Sequence, residues 1–262
     1  MEKMTSRYAF LRIYWLLAQF GINPKLMFLS IRGLPRYFRD VMKFKLAYHG
    51  KFKFRPCLTD WYAEGGSLGH EYFWQDLYVA RLVYQSEPDI HVDVGSRIDG
   101  FVAHVASFRE IEVFDIRPIS HVVPGVRFKQ ADLMDARSAI ENYCDSLSCL
   151  HTLEHFGLGR YGDPIDPAGF AVGLENMSRL VRSGGTFYLS VPVGVSRVEF
   201  NAHRVFDPQE IIDVAHRNNL YLDKFSLFTA EKGLVELEEH PEIFKSVQCL
   251  NYGLGIFIFK KK

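Results

Sequence analysis

Cysteine is scarce in this chain: four occur among 262 residues, and no two have the C-x-x-C spacing of metal and redox motifs. The pattern therefore favours four reduced thiols, as in a cytoplasmic protein. No apolar run reaches the ~18 residues that span a bilayer, and no repeat or low-complexity tract is present. These absences predict a globular, cytoplasmic protein without a transmembrane helix.

The chain also has no net charge, because 31 lysines and arginines balance 31 acidic residues. The two signs of charge are unevenly distributed along the chain. Residues 1–55 hold twelve basic and two acidic residues, so they carry +10 and the remainder carries −10. Basic residues alternate there with aromatic and apolar ones, as in helices that lie on anionic membrane surfaces. Three interpretations stay open: a helical lid packed over the rest of the chain, a peripheral membrane contact, and, with no recognisable motif to support it, a nucleic-acid contact.

The residues from Asp89 to Phe101, followed by Ile111 to Ile116, predict a strand, a glycine-containing turn, a helix and a second strand that ends in an acid. Gly95 would let the backbone approach a ligand closely, and the amides of the next helix would face that ligand. Asp115 follows Asp93 by 22 residues, close to the ~20-residue spacing at which an acid meets ribose hydroxyls. The pattern predicts an adenosine-type ligand.

The turn disfavours a dinucleotide. A pyrophosphate needs bare backbone amides nearby, whereas Arg97 and Asp99 bring side chains and a negative charge into the turn before Gly100. S-adenosylmethionine has no phosphate and tolerates a turn with fewer glycines. The sequence therefore favours S-adenosylmethionine over NAD.

The phrase Asp93-Val-Gly95-Ser-Arg97-Ile-Asp99-Gly100 resembles motif I of the class I S-adenosylmethionine-dependent methyltransferases, whose usual form is D-x-G-x-G-x-G. It departs from that form at Arg97 and Asp99. The longer phrase from Val92 to Gly100 is similar to that of a methyltransferase-like subfamily without an assigned substrate.

Later segments have the order of the same family. A third strand at residues 126–130 precedes Ala131-Asp132-Leu133, and a fourth, Asp145–Leu150, runs directly into His151-Thr-Leu-Glu154-His155. Helix Leu174–Val181, a fifth strand from Thr186, a capped helix opening at Asp207, and two closing strands complete the pattern.

The resemblance implies an α/β fold, a Rossmann-like doubly wound sheet of about seven strands of the class I methyltransferase type over residues 88–262. Residues 1–87 would form a basic, helical, aromatic extension or lid. It also implies a set of cofactor-binding residues: Asp93, Gly95, Ser96, Arg97, Gly100, Asp115, Ile116, Asp132, Leu133 and His151.

Methyl transfer requires positioning and, for an oxygen nucleophile, a base. His155 is the predicted base because imidazole has a pKa near ~6.5, and Glu154 would orient it or hold the substrate. The predicted substrate contacts are Tyr161, Asp163, His203 and Arg204. The resulting hypothesis is a methyltransferase acting on a small molecule, such as a sugar or lipid-linked sugar of surface polysaccharide synthesis, at the membrane face. The oligomeric state does not follow from the sequence.

The segment His151-Thr-Leu-Glu154-His155 also matches the H-x-x-E-H motif of zinc hydrolases. That motif works inside a long helix, whereas here an apolar strand precedes it and glycines follow, so no metal is assigned. A divalent ion held by these histidines with Asp163 or Asp166, and histidines that only hydrogen-bond within the fold, stay open. Two further hypotheses are an inactive binding or scaffolding protein and an NAD-dependent enzyme that modifies nucleotide sugars.

Overall fold

The computed structural model describes residues 13–63, 65–66, 69–135, 140–237 and 241–262. The chain forms two compact units, residues 1–67 and 68–262. The expected division after residue 87 differs from this boundary, because the helix Glu71–Ser86 contributes Val79 and Val83 to the core of the second unit. The basic residues before position 13 lie outside the described part of the chain. Within that part, no helix is long and apolar enough to cross a membrane.

The first unit is built around one long helix. Residues 13–19 are helical, and α1, Pro24–Ala47, follows Asn23, whose side chain caps it by accepting a backbone N–H from the first turn. Gly33 is the buried residue of α1. A Cβ at this position would overlap the carbonyl of Leu58, so the segment after α1 crosses the helix at its glycine.

The described residues of the second unit form ten strands. In chain order they are β1 (His91–Val94), β2 (Ile111–Asp115), β3 (Val126–Gln130), β4 (Cys144–Leu150), β5 (Val181–Val193), β6 (Arg197–Glu199), β7 (His203–Val205), β8 (Leu220–Thr229), β9 (Gly233–Leu237) and β10 (Gly253–Lys261). Eight form one sheet in the order β3-β2-β1-β4-β5-β10-β8-β9, and β6 pairs with β7 in a separate hairpin. The predicted doubly wound sheet is confirmed, with eight strands because β9 pairs with β8 at the edge.

The parallel strands at the centre of the sheet are buried on both faces. All four residues of β1 are buried, which suits a parallel strand covered on both sides. β1 pairs in parallel with β2 and β4, whereas β10 runs antiparallel to β5 and β8. The chain extends from β1 to β3 on one side and resumes at β4 on the other. A crevice is expected where the order reverses, at the carboxyl ends of β1 and β4.

Helices cover both faces of this sheet. They are α2 (Glu71–Ser86), α3 (Ala103–Ala106), α4 (Gly169–Leu180), α5 (Pro208–Arg217) and α6 (Pro241–Gln248). Val83 of α2 and Val105 of α3 belong to one core cluster, and Leu174 of α4 and Phe244 of α6 belong to the other. The two clusters are the two layers of a doubly wound domain.

Local signals set some helix boundaries and miss others. α5 begins at Pro208, after Asp207 accepts a hydrogen bond from Gln209 N at 2.8 Å, as the capping pattern predicts. The helix expected after Gly95 is shorter and less regular. A π-helical turn, Ile98–Val102, precedes α3, and Gly100 inside it has φ −120° and ψ −112°.

Candidate functional site

Asp93 stabilises the turn after β1 from the buried side of the sheet. Its carboxylate is fully buried and accepts hydrogen bonds from Ser96 N at 3.0 Å, Ser96 Oγ at 2.7 Å and Ser148 Oγ at 2.6 Å. Burial raises the pKa of Asp93 to about 7, against the opposing effect of these hydrogen bonds. Ser96 is also buried, and its hydroxyl accepts from Leu150 N at 3.2 Å. Both residues therefore shape the turn from inside the fold.

Gly95 lies where three segments meet. It has φ +71°, its N–H donates to the Phe114 carbonyl at 2.9 Å, and a Cβ here would overlap the methyl carbon of Thr152. The turn after β1 is thus pressed against the ends of β2 and β4. Only glycine fits this conformation and this space together.

Arg97 and Asp99 are exposed on the outside of the same turn. They pair with each other through Nη2 and Oδ2 at 2.7 Å and Nε and Oδ1 at 3.0 Å, and hydrogen bonding from Arg97 lowers the pKa of Asp99. Gly100, behind them, lies against Asp76 of α2, whose Oδ2 would be 2.6 Å from a Cβ on the glycine. The two charged side chains neutralise each other and leave the inner side of the turn to backbone.

Asp115 ends β2 at the same sheet edge. Its carboxylate accepts from Arg117 N at 2.8 Å, Arg117 Nε at 3.0 Å and Arg117 Nη2 at 2.6 Å. The Arg117 guanidinium also approaches the Gly95 carbonyl at 3.4 Å and lies 4.5 Å from the ring centroid of Tyr161. Arg117 therefore covers the acid that the spacing predicts for a ribose.

The residues after β2 and β3 occupy the neighbouring positions. Asp132 Oδ1 accepts from Met134 N at 2.9 Å and stabilises the turn after β3, whereas the Leu133 side chain lies in the core. The Ile116 carbonyl accepts from Gln130 Nε2 at 2.8 Å, which joins the two strand ends. These contacts fix the ends of β2 and β3. The family resemblance predicts that an adenine would lie next to these strand ends.

His151 is the centre of a buried polar cluster after β4. It has φ +53°, and its N–H donates to the Ser190 carbonyl at 3.0 Å. The imidazole contacts Glu154 Oε1 through Nδ1 at 2.6 Å, approaches Glu71 Oε1 through Nε2 at 3.5 Å, and stacks on Tyr72 with the ring centroids 4.7 Å apart. Two carboxylates therefore hold one imidazole.

The charges of this cluster depend on each other. Burial alone would lower the pKa of His151, but Glu154 and Glu71 raise it to about 9. The His151 imidazole beside it lowers the pKa of Glu71 to about 2, and the same imidazole keeps the pKa of buried Glu154 below its usual value. At neutral pH the cluster is an imidazolium between two carboxylates.

The polar groups of this cluster are incompletely paired. Among the described residues, the buried side-chain atoms without a hydrogen-bond partner are His151 Nε2, Glu154 Oε2 and His203 Nε2. His203 Nε2 lies 3.8 Å from Glu199 Oε2, and burial lowers the pKa of His203. Unsatisfied polar groups are costly in a folded protein, so their concentration at one sheet edge marks a functional site.

His155 lies on the neighbouring short turn Leu153–His155. Its Nδ1 contacts the Ala202 carbonyl at 2.7 Å and so carries the hydrogen, which leaves Nε2 as an acceptor 3.7 Å from Glu154 Oε1. Burial is the main cause of its lowered pKa. His155 is therefore neutral at pH 7, with one ring nitrogen free to take a proton.

The predicted substrate contacts have different environments. Tyr161 is partly exposed and meets the His155 ring edge-on at 5.5 Å, whereas the Asp163 carboxylate accepts from Gly159 N and Tyr161 N and shapes the loop. Arg204 is buried, and its guanidinium donates to the carbonyls of Glu154, Phe156, Asp166 and Pro167. Arg204 therefore holds the loop in place and has no free donor pair for a substrate.

Four site residues were not predicted: Glu71 and Tyr72 from α2, Arg117, and Tyr252, whose hydroxyl donates to Glu71 Oε1 at 3.0 Å. The first two lie in the segment assigned to the extension, so no motif pointed to them. Arg117 could have been predicted from the sequence, because it follows the proposed ribose acid, Asp115, by two residues and its side chain can fold back onto that acid.

The H-x-x-E-H interpretation requires both histidines on one helix. Here His151 is in a left-handed conformation directly after β4, and His155 ends a single 3-10 turn. Within the part of the chain that the structure describes, no three His, Cys, Asp or Glu side chains are arranged to hold a metal ion. The geometry of a helical zinc site is therefore not formed by these residues.

Sequence comparison finds one family that matches part of the chain. Residues 126–234, less than half of the chain, match the family described as "Caenorhabditis protein of unknown function, DUF268". No curated protein sequence matches the chain.

Among solved structures, the chain is similar to a putative sarcosine dimethylglycine methyltransferase from Galdieria sulphuraria, with 9% identity, TM-score 0.50, and coverage of 71% of this chain and 85% of that chain. It is also similar to an S-adenosylmethionine-dependent methyltransferase from Clostridium acetobutylicum, with 9% identity, TM-score 0.49, and coverage of 73% and 92%. A third is the Burkholderia thailandensis 1,6-didemethyltoxoflavin-N1-methyltransferase with bound S-adenosylhomocysteine, with 13% identity, TM-score 0.48, and coverage of 72% and 80%. The strand order and the first of these similarities show that the chain has the Rossmann-like fold of S-adenosylmethionine-dependent methyltransferases.

Proposed function

We propose that this protein is an S-adenosylmethionine-dependent methyltransferase that acts on a small molecule. The observation that carries the proposal is the convergence, at one sheet edge, of the Gly95 turn, the Asp115 carboxylate and the cluster around His151. The Galdieria structure of the same fold is described as a putative sarcosine dimethylglycine methyltransferase, and an acceptor of that size agrees with this proposal.

The residues at this edge fit S-adenosylmethionine. Gly95 has no side chain and has φ +71°, so the turn after β1 would let a ligand approach the backbone closely. Asp115 would accept the ribose hydroxyls once Arg117 turns away, and Asp132 would lie near the adenine. The carboxylates of Glu71 and Asp76 suit a ligand that carries a sulfonium and an amino group. The bound cofactor would supply the electrophilic methyl group.

The acceptor needs a base if its nucleophile is a hydroxyl. His155 can serve, because Nδ1 is anchored on the Ala202 carbonyl and Nε2 is the unprotonated nitrogen. After proton uptake, Glu154 Oε1 at 3.7 Å would stabilise the imidazolium. His151 is already protonated and paired, so it positions Glu154 and does not compete for the substrate proton.

We further propose that the acceptor is a sugar or a lipid-linked sugar. Hydroxyl groups both donate and accept hydrogen bonds, and they would complement the buried Glu154 Oε2 and His203 Nε2 if acceptor binding opens this cluster. Tyr161, partly exposed beside His155, would contact the sugar ring. A lipid-linked acceptor would place the protein at the membrane face.

Calorimetric titration with S-adenosylmethionine and S-adenosylhomocysteine tests cofactor binding. We expect micromolar affinity, at least about tenfold weaker in Asp115→Ala, because a charge-assisted hydrogen bond contributes about 1.5–3 kcal/mol. Glu110→Gln, an exposed acid just before β2, is the matched control and should bind normally. A folded wild-type chain without affinity would contradict the proposal and favour a scaffolding role, and preferential binding of NAD would favour the dinucleotide enzyme.

The catalytic assignment has its own test. His155→Asn should lower kcat about 10²-fold or more and leave the cofactor Kd unchanged, because general-base catalysis contributes roughly 10² to 10⁴. Acceptor screening should include sugars, lipid-linked sugars, peptides and nucleic acids. Methylation of peptides or nucleic acids alone would contradict a small-molecule acceptor.

A further inference from the structure

Helix α1 of the first unit exposes a continuous apolar stripe. Its members are spaced three or four residues apart and so lie on one side of the helix. They are Met27, Ile31, Leu34, Phe38, Met42 and Leu46, and their exposed fractions lie between 37 and 80%. At a rise of 1.5 Å per residue, the stripe is about 28 Å long. The helical residues before α1 expose Trp15 and Leu16 as well. Soluble proteins rarely leave such a surface uncovered.

A basic stripe runs beside the apolar one. Lys25, Arg32, Arg36, Arg39 and Lys43 are also spaced three, four or seven residues apart, about a third of a turn from the apolar side chains. α1 contains a single acid, Asp40, which pairs with Arg36 at 3.2 Å and Arg39 at 3.3 Å. The surface of α1 is therefore strongly cationic along its whole length.

The packing inside the first unit uses the other side of α1. Gly33 lies against the Leu58 backbone, and a residue two positions from Ile31 faces nearly the opposite direction on a helix. The Arg36 guanidinium lies 3.7 Å from the ring centroid of Trp61, which is itself 68% exposed. The segment that covers α1 thus leaves the apolar stripe uncovered and adds an exposed tryptophan beside the basic one.

We propose that α1 is a docking surface for an anionic lipid bilayer, with the helix parallel to the membrane plane. The apolar stripe would enter the boundary between headgroups and acyl chains, and the neighbouring cations would contact the lipid phosphates. Long apolar side chains flanked by lysines and arginines are what this interface selects, and tryptophan is enriched at the same depth. Charge complementarity decides the occupant, since α1 carries six basic residues and one acid.

Vesicle sedimentation with the full-length protein tests this proposal without cofactor or substrate, so its result is separate from that of the methyltransferase tests. Vesicles of phosphatidylcholine with 30–40% phosphatidylglycerol, roughly, supply the charge, and phosphatidylcholine alone is the reference. We expect binding at least about tenfold stronger to the anionic vesicles, and weaker at high salt because screening shortens the range of charge attraction.

Two sets of variants separate the stripes. Ile31→Glu with Phe38→Glu should weaken anionic-vesicle binding about tenfold or more, and Lys25→Glu with Lys43→Glu should remove the preference for anionic lipid. Val122→Glu, at a position 96% exposed in the second unit, is the matched control and should bind like the wild type. Circular dichroism and Tm identify variants that fail to fold.

Three results would overturn the proposal. The first is no vesicle binding by the folded wild type. The second is binding that the stripe variants leave unchanged. The third is a dimer, detected by light scattering at micromolar concentration and lost in Ile31→Glu with Phe38→Glu, because the stripe would then be covered by a second copy of this chain.

Discussion

Arg117 donates hydrogen bonds to both carboxylate oxygens of Asp115, from Nε at 3.0 Å and from Nη2 at 2.6 Å. The same guanidinium approaches the Gly95 carbonyl at 3.4 Å and so links the ends of β1 and β2. In the proposed complex, a ribose would have to displace Arg117 from Asp115. Arg117→Met should therefore strengthen S-adenosylmethionine binding about three- to tenfold, in line with about 1 kcal/mol for a partly exposed ion pair.

Calorimetry of Arg117→Met beside Arg127→Met separates the local effect from a change in net charge. Arg127 pairs with Glu110 and Glu112 away from the crevice, so its loss should leave the affinity unchanged. Weaker binding in Arg117→Met would mean that Arg117 itself contacts the cofactor.

Gly95→Ala should abolish cofactor binding and destabilise the fold. The substitution places a Cβ against the Thr152 methyl carbon in a backbone conformation with φ +71°. Gly184→Ala is the matched control, because Gly184 has φ +80° but no atoms within 4 Å of the position that a Cβ would take, so it incurs the backbone cost of about 1–2 kcal/mol alone.

The Gly95 contact can be relieved separately. Thr152→Ser removes the methyl carbon that a Cβ at position 95 would meet. The double variant Gly95→Ala with Thr152→Ser should be about as stable in urea denaturation as Gly184→Ala. A double variant no more stable than Gly95→Ala alone would show that the Thr152 contact is not the cause.

His151 should make the stability depend on pH above neutrality. Its pKa is raised from an ordinary value of 6.5 to about 9 in the fold, so the folded state binds more protons between these values. The stabilisation is complete below about pH 6.5 and is lost as pH rises through about 9, an effect of about 3 kcal/mol. Urea denaturation at several pH values from 6 to 10 measures this slope.

A double variant provides the reference for that slope. His151→Asn alone would leave the buried Glu154 carboxylate without its cation, so His151→Asn with Glu154→Gln removes both charges together. We expect its free energy of unfolding to vary less with pH above 7 than that of the wild type. Equal slopes would mean that His151 is not an imidazolium in the folded protein.

Arg204 should contribute to stability and, through the loop after β4, to catalysis. Arg204→Ala leaves carbonyls of residues 154 to 167 without their donor, and we expect a loss of about 2–4 kcal/mol. Arg204→Lys keeps the charge without the fork of donors and should restore less than half of this.

The control for Arg204 is an exposed arginine in a surface ion pair. Arg179 pairs with Glu141 at 2.9 Å, and Arg179→Ala should change the free energy of unfolding by less than about 0.5 kcal/mol. A small effect of Arg204→Ala in the same denaturation assay would contradict its role in holding the loop.

Much of the domain was predictable because its signals are local. The strand from Ile90 to Val94 alternates β-forming apolar residues with His91 and Asp93 and ends at Gly95, and the Asp207 capping pattern marks the start of α5 correctly. The edge strand β9 was missed, because Gly233–Leu237 alternates weakly and is followed by several acids. The irregular turn before α3 was also missed, since it depends on the contact between Gly100 and Asp76 of α2.

The candidate site shows the same division. Gly95, Asp115 and His155 could be identified in the sequence because motif spacing along parallel strands places them at one edge. The spacing could not tell that Asp93 faces inward or that Arg204 binds backbone carbonyls. Both outcomes depend on burial and on partners distant in the chain.

By itself, the sequence determined the order of strands and helices, the glycine turn after β1, and the basic and apolar periodicity of α1. These properties arise from backbone preference and side-chain spacing within short segments. Only the tertiary structure decided that α2 brings Glu71 and Tyr72 to His151, and that Arg117 covers Asp115. Protonation states and hydrogen-bond partners depend on which distant groups share a low-dielectric environment, and folding alone brings those groups together.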